Sequence, residues 1–405
     1  MSLNRDNGIG SPTAPAPLET SWMIVDLHTH IWDTPDQLGL EAARRIRLST
    51  DEPWDQPNAG IDRHSEAMAP VDFAVVLGFE SEYLGASIDA EQVAKYIAHQ
   101  PGKYLGFAGI DPMANGHLRK IDRAVELGLV GVVISPAAQA FHPTHTRAMK
   151  LYEKCEKLNL PVLIHTGTHF GASTLLEYSQ PFLFDEIARS FPGLRMVISQ
   201  VGYPWIDQTL VLISKHEHVY ADLSNVSGRP WQLYNTLLLA HQQDATRHLL
   251  LGSDFPFANP EEVITTLYSI NTLTQGTNLP SVPRESLRSI VERDTLSCLG
   301  IQTPPASEVV DRDPVEEDLL SSSSAIAMQV VVPSTRETPI PPHETAAKPQ
   351  ASSAPKLAVA EPPTTTPEVP EAKPEDVPQV DTDSENESNS DADSEGLNPG
   401  HKTDE

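Results

Sequence analysis

Cysteine, basic residues and long apolar runs are all scarce in this chain, and each scarcity removes a class of protein. The only two cysteines, Cys155 and Cys298, lie far apart and form no C-x-x-C pair. That leaves no disulfide framework and fits a reduced, intracellular protein. Lys and Arg number 28 against 56 Asp and Glu, a net charge of −28 over 405 residues. A chain of that sign offers nucleic acid no basic footprint. No apolar run reaches the roughly 18 residues a membrane helix needs. The opening MSLNRDNGIGSPTAPAPLET carries no apolar signal-peptide core. The expectation is a cytoplasmic protein with neither a nucleic-acid nor a membrane partner.

Aromatic residues are missing altogether from the last hundred positions. From Ile301 onward 22 acidic residues stand against 6 basic ones, among many Pro, Ser and Thr. Such a segment cannot bury enough apolar surface to offset its chain entropy. Residues 303–405 therefore read as a disordered acidic Pro/Ser-rich tail, most extreme at DTDSENESNSDADSEG (Asp381–Gly396). Residues 1–22 read as a flexible N-terminal segment.

Between these ends two textures alternate. Short runs rich in Val, Ile and Leu occur at 23–30, 73–79, 104–110, 131–136, 161–167, 195–202, 219–225 and 248–256. Continuous apolar runs of this kind suit strands buried on both faces of a parallel sheet. Amphipathic stretches separate them. In HTRAMKLYEKCEKLNL (145–160), Ala148, Leu151, Tyr152, Cys155 and Leu158 fall at helical spacing. PEEVITTLYSINTL (260–273) opens with Pro and two acids, which suits a helix start. A final helix is expected over RESLRSIVERDTLSCLG (284–300), stopped by Gly300. Eight strands alternating with helices predict an α/β fold, a (β/α)8 TIM barrel over residues 23–302. The longest insertion, about Thr34 to Ala69, follows the first strand and is placed to cover the barrel mouth.

Chemistry in such a barrel sits at the C-terminal ends of the strands. In MIVDLHTHIWD (Met23–Asp33), His28 and His30 stand one residue apart and so share a face. Alone, the pair is either a structural hydrogen-bond network or half of a metal site. His165 ends the fifth strand (LIHTG) and Asp254 the eighth (LGSDFP). Three imidazoles and a carboxylate brought to one axial cavity suit Zn, and also Mn, Fe or Co.

The segments DLHTHI, GLVGVVISPAAQAFHPTH, LPVLIHTG, VYADLS and LGSDFPF, in this order, resemble the metal-dependent amidohydrolase superfamily. They are most similar to its amidohydrolase-related, aminocarboxymuconate semialdehyde decarboxylase-like branch, over about Met23 to Ile301. The resemblance implies one divalent metal ion, usually Zn, held by His28, His30, His165 and Asp254. Asp254 would also shuttle a proton, and a homodimer is common in the branch. The fourth strand, GVVISP, lacks the Lys of binuclear members, which favours one metal. One position departs from the pattern. Where the branch ends its sixth strand with a His base, this chain has Gln200 in MVISQVGYPW. An amide can orient water or polarise a carbonyl but cannot take a proton.

Other polar residues could line the pocket. Trp32, Glu80, Ser135, Asn225 and Arg229 follow or end strands, and His169 sits on the loop after the fifth strand. Arg229 matches a substrate carboxylate, though a plain surface arginine is its bland alternative. His169 is either a substitute base or a surface-loop histidine. Asp222, inside the seventh strand, reads as a structural hydrogen-bonding residue. The expected activity is metal-dependent hydrolysis of a small polar molecule, such as an amide, lactone or cyclic ester. Two alternatives stand beside it: decarboxylation of a small unsaturated or aromatic acid, and a metal-binding scaffold without activity.

Overall fold

The structure, a computed structural model, describes residues 22–47, 58–166 and 171–303. His169, the tail and residues 1–21 lie outside them. Among the described residues ten strands occur in chain order: β1 Val25–His30, β2 Phe73–Leu77, β3 Phe79–Ser81, β4 Ala86–Ile88, β5 Tyr104–Gly109, β6 Gly131–Ile134, β7 Val162–Ile164, β8 Met196–Ile198, β9 Val219–Asp222 and β10 Leu249–Leu250. Eight of them form one sheet in the order β1-β2-β5-β6-β7-β8-β9-β10, with every pairing parallel. The sheet closes on itself. Leu27 N donates to Leu251 O at 3.0 Å and His30 N to Phe255 O at 2.9 Å, and Thr29 bridges Phe255 in parallel. This is the expected (β/α)8 barrel. β3 and β4 form an antiparallel hairpin, of which the expected second run at 73–79 took in only Phe79.

The strands are apolar throughout because both of their faces are buried. Val25, Leu27, Val75, Leu77, Leu105, Phe107, Val133, Leu163, Val197, Tyr220 and Leu250 fill the barrel interior, closed from below by Leu296, Leu299 and Ile301. The alternate residues, among them Ala74, Val76, Ala108, Val132, Ile134, Val162, Ile164, Met196, Ile198 and Ala221, pack outward on the helices. The period of two makes this assignment strand by strand.

One expectation needs adjusting. The stretch expected as one helix over 284–300 is two, Arg284–Val291 and Thr295–Cys298. Asp294 breaks it: its backbone leaves the helical region at ψ 77°, and its side chain accepts from Ser297 N, so it caps a new start. The insertion after β1 contributes a 3-10 turn at Pro35–Leu38 and helices at Leu40–Arg47 and Ile61–Ala67. It reaches the loop after β7, where the Glu41 carboxylate accepts from Ser173 N at 3.2 Å and Ser173 Oγ at 2.7 Å. Among the described residues no helix is long and apolar enough to cross a membrane.

Candidate metal centre

The parity of each strand decides which residue reaches the axis at its C-terminal end. On β7, inward Leu163 is followed two residues later by His165, and on β9 inward Tyr220 by Asp222. β1 does not follow this count. Val25 and Leu27 point inward, so strict alternation would send Thr29 to the axis and both histidines outward. A bulge corrects the phase. Asp26 pairs with Ala74 but Thr29 with Val76, three steps on β1 against two on β2. Bulges of this kind re-aim side chains beside functional sites. The result is that His28 and His30 face the axis and Thr29 faces out.

His28, His30 and His165 present ligand nitrogens that all lie within 4.8 Å of one another. His28 Nε2 and His30 Nε2 are 3.1 Å apart. Asp254 Oδ1 approaches from the strand-one side, 3.5 Å from His28 Nε2 and 3.4 Å from His30 Nε2. Two donors each about 2.1 Å from one ion, at the tetrahedral angle, stand about 3.4 Å apart. These spacings therefore fit donors around one common ion. Asp254 N also donates to His28 O at 2.9 Å, knitting the two ligand-bearing strand ends together.

The electrostatics favour a cation here. Burial alone would lower the His28 pKa, but Asp222, Asp254 and Asp26 outweigh it and push it up to about 9. Burial pushes His30 down. It drives His165 well below the ordinary value, helped by positive charge at His28 and His30. Burial thus leaves His30 and His165 as the neutral imidazoles a metal requires, while the carboxylates around His28 favour positive charge there, which a bound ion would supply in place of the proton.

Asp222 is the support behind His28. Its Oδ2 lies 3.0 Å from His28 Nδ1. Its Oδ1 accepts from Gln200 N and Ser224 N, each at 3.0 Å, and from the Ser224 hydroxyl. Burial would raise its pKa, yet the His28 charge and these bonds leave it below the ordinary value. An anion on Nδ1 fixes the proton there and turns the Nε2 lone pair to the focus. Gly252 makes room for the pair, since a Cβ on it would stand 2.9 Å from the His28 Cβ.

Gln200 enters on a 3-10 turn, Ser199–Gly202, directly after β8. Its backbone is left-handed (φ 55°), as are Val201 (48°), Asn225 (60°) and Asp254 (64°). Four of the seven non-glycine residues with positive φ among those described thus gather at this site, and such strain concentrates where function over-determines the backbone. A directional chain runs through Gln200. Arg229 Nη1 donates to Asn225 Oδ1 at 2.7 Å, Asn225 Nδ2 to Gln200 Oε1 at 3.2 Å, and Gln200 Nε2 to Asp254 Oδ2 at 3.2 Å. Guanidinium can only donate and carboxylate only accept, so the two ends fix both amide orientations.

Residues 25–281 match the family model described as Amidohydrolase. The chain belongs to the amidohydrolase family. It is similar in fold to an uncharacterised TIM-barrel protein from Bordetella bronchiseptica, at 18% identity over 68% of this chain and 99% of that one, with a TM-score of 0.52. A dihydroxybenzoic acid decarboxylase from Polaromonas sp. JS666, solved with manganese and 2-nitroresorcinol, aligns at 15% identity, 69% and 97% coverage and TM-score 0.50. A probable 2-pyrone-4,6-dicarboxylic acid hydrolase from Acinetobacter baumannii aligns at 14% identity, 69% and 99% coverage and TM-score 0.46. No curated protein matches the chain.

Within this amidohydrolase barrel the structure brings His28, His30, His165, Asp254 and Gln200 together. Arg229 lies at the edge, its guanidinium 4.6 Å from the Tyr203 ring. Trp32 is buried and lies 6.1 Å from the exposed Phe257 ring, forming an aromatic wall after β1 and the β10 end. Ser135 supports rather than lines: its hydroxyl donates to His165 O at 3.2 Å. Glu80 is engaged by Lys120 in an ion pair. Asp222 has the hydrogen-bonding role expected of it, here toward His28, whereas sequence reasoning passed over Ser224 and His64.

Proposed function

We propose that this amidohydrolase-family protein is a mononuclear metal-dependent hydrolase of a small polar substrate carrying a carboxylate, such as an amide, lactone or cyclic ester. The donor set of three imidazoles and a carboxylate makes Zn the ion of choice. An ion held by His28, His30, His165 and Asp254 would supply Lewis-acid chemistry. Everything else falls to the chain. His28 is held in one tautomer by Asp222. Asp254 offers Oδ1 toward the focus while the Gln200 amide holds Oδ2, so the carboxylate takes and returns the proton from a fixed rotamer. Gln200 orients and does not titrate. Arg229 spends only Nη1 on Asn225. Its Nη2 and Nε edge makes no hydrogen bond among the described residues, which suits a planar carboxylate. Trp32 and Phe257 supply the apolar wall.

The observation that carries this reading is the convergence of His28, His30 and His165 with Asp254 at one strand-end focus, with an amide in place of a second acid–base group. Incubation of the metal-loaded protein with a panel of small acids, esters, lactones and amides, read for both acid release and CO2, tests it. Hydrolytic acid release without CO2 is expected. CO2 release would assign the chain to the carboxy-lyases instead. Neither signal from any substrate would leave the barrel a scaffold. The cytoplasmic setting, the small-molecule partner and the homodimer belong to the same proposal.

A further inference from the structure

Behind β1, on the outer face of the barrel, lies a polar nest that the proposed chemistry does not use. His64, on the helix Ile61–Ala67, is fully buried. Its ring meets Tyr96, Tyr104 and Phe255 edge-on, with centroids 5.3, 5.0 and 5.1 Å away. Its Nε2 lies 3.0 Å from Thr29 Oγ1. The Thr29 hydroxyl in turn donates to the Val75 carbonyl at 2.8 Å. A carbonyl cannot donate, so the Thr29 proton is committed and the hydroxyl must accept from His64. His64 therefore carries its proton on Nε2. Among the described residues its Nδ1 and the Tyr96 hydroxyl are buried without a hydrogen-bond partner. A buried histidine that leaves half its polar capacity unused stabilises little by itself, and needs a reason.

Thr29 supplies the reason. It sits between His28 and His30, at the bulge where β1 changes phase. With the phase shifted, Thr29 points out and the two histidines point in. Without it, the histidines would be turned into the helical layer and Thr29 into the axis. Thr29 also bridges Phe255, the neighbour of Asp254. His64 thus grips Thr29 by a hydrogen bond and Phe255 by ring contact, one residue away from three of the four groups at the focus.

We propose that His64 is a positioning residue of the metal centre, locking through Thr29 the phase shift that turns both strand-one histidines inward. The inference rests on the metal reading of that centre for its consequence, but the brace itself is a property of the chain. Two readouts separate these. In the full-length protein without metal, amide hydrogen exchange reports the brace: His64→Leu should speed exchange at His30 and Asp254, whose amides bond across the strand ends, and leave distant strands unchanged. With Co(II) as the probe, chelator competition reports the consequence. Outer partners of metal ligands typically contribute 10–100-fold in affinity, so His64→Leu should bind Co(II) at least about 10-fold more weakly and change its visible spectrum. His64→Gln, whose amide nitrogen can reach the Thr29 hydroxyl, should recover most of both signals. Thr29→Val should reproduce the loss, and the double variant should lose no more than either alone. Unchanged exchange at His30 and Asp254 in both His64→Leu and Thr29→Val would overturn the brace, whether or not metal binds. Faster exchange with unaltered Co(II) affinity in a protein that binds Co(II) would overturn its role in positioning. A wild type that binds no Co(II) would count against the metal reading and leave the exchange result to decide the brace. Should His64→Leu fail to fold, Thr29→Val carries the test.

Discussion

The two sides of the focus are built to different plans. On the β1 side, His28 is backed by Asp222, and Thr29, which stands between the two histidines, is backed by His64. On the side that follows β8 and β9 the residues orient rather than hold. Gln200 and Asn225 pass a one-way chain of hydrogen bonds from Arg229 to Asp254. The difference teaches a division of labour. Holding an ion takes ligands whose lone pairs are aimed in advance, and β1 provides this through Asp222 behind His28 and the phase shift at Thr29. Moving a proton takes one group that can change charge, and on this account that task rests with Asp254 alone.

The sharpest way to break that contrast is to exchange the properties of Gln200 and Asp254. General acid–base groups typically contribute about 10²–10⁴-fold. Asp254→Ala should lower kcat by that order, whereas Gln200→Ala should cost about tenfold, the scale of one orienting hydrogen bond. Gln200→His should leave metal content unchanged and add a new limb to the pH–rate profile. An identical profile would show that position 200 does not share the site.

A smaller effect is expected behind His28. Asp222→Asn keeps the size but removes the charge, and outer-partner loss of this kind lowers metal affinity by about 10–100-fold. Measured by chelator competition, an unchanged affinity would mean that His28 is oriented by its own packing.

An effect on stability rather than on metal or rate concerns the other backing residue. Burial and the nearby Lys103 push the His64 pKa down to about 3. Tyr96, Tyr104 and Thr29 also face it but are neutral at these pH values. The unfolded chain takes up this proton near pH 6.5 while the folded chain refuses it until about pH 3. Stability is therefore complete above pH 6.5 and falls as pH drops toward 3, by about 1.4 kcal/mol per pH unit. Denaturation midpoints of wild type and His64→Gln across this range should diverge as pH falls, the variant losing less. Parallel curves would show His64 protonated in the fold.

The barrel was legible because period and burial leave little choice: strands apolar on both faces, separated by amphipathic helices, have few other arrangements. The ligands were legible as types at strand ends. What was not legible is phase. Nothing in MIVDLHTHIWD states that three residues of β1 oppose two of β2, so the spacing of His28 and His30 gave a shared face but not which face. Asp222 and His64 share a related difficulty. Each is an ordinary buried polar residue in sequence, and each acquires its role from a partner far along the chain, Asp222 from His28 and His64 from Thr29. The hairpin β3–β4 was lost for a simpler reason, since FES is too short to register as a period.

The central claim is that one strand-end focus holds one ion, and elemental analysis of full-length protein after loading with Zn tests it most directly. The account predicts about one divalent ion per chain in the wild type, and next to none in the His28→Ala, His165→Ala double variant under the same loading. Equal metal in the two proteins would contradict it.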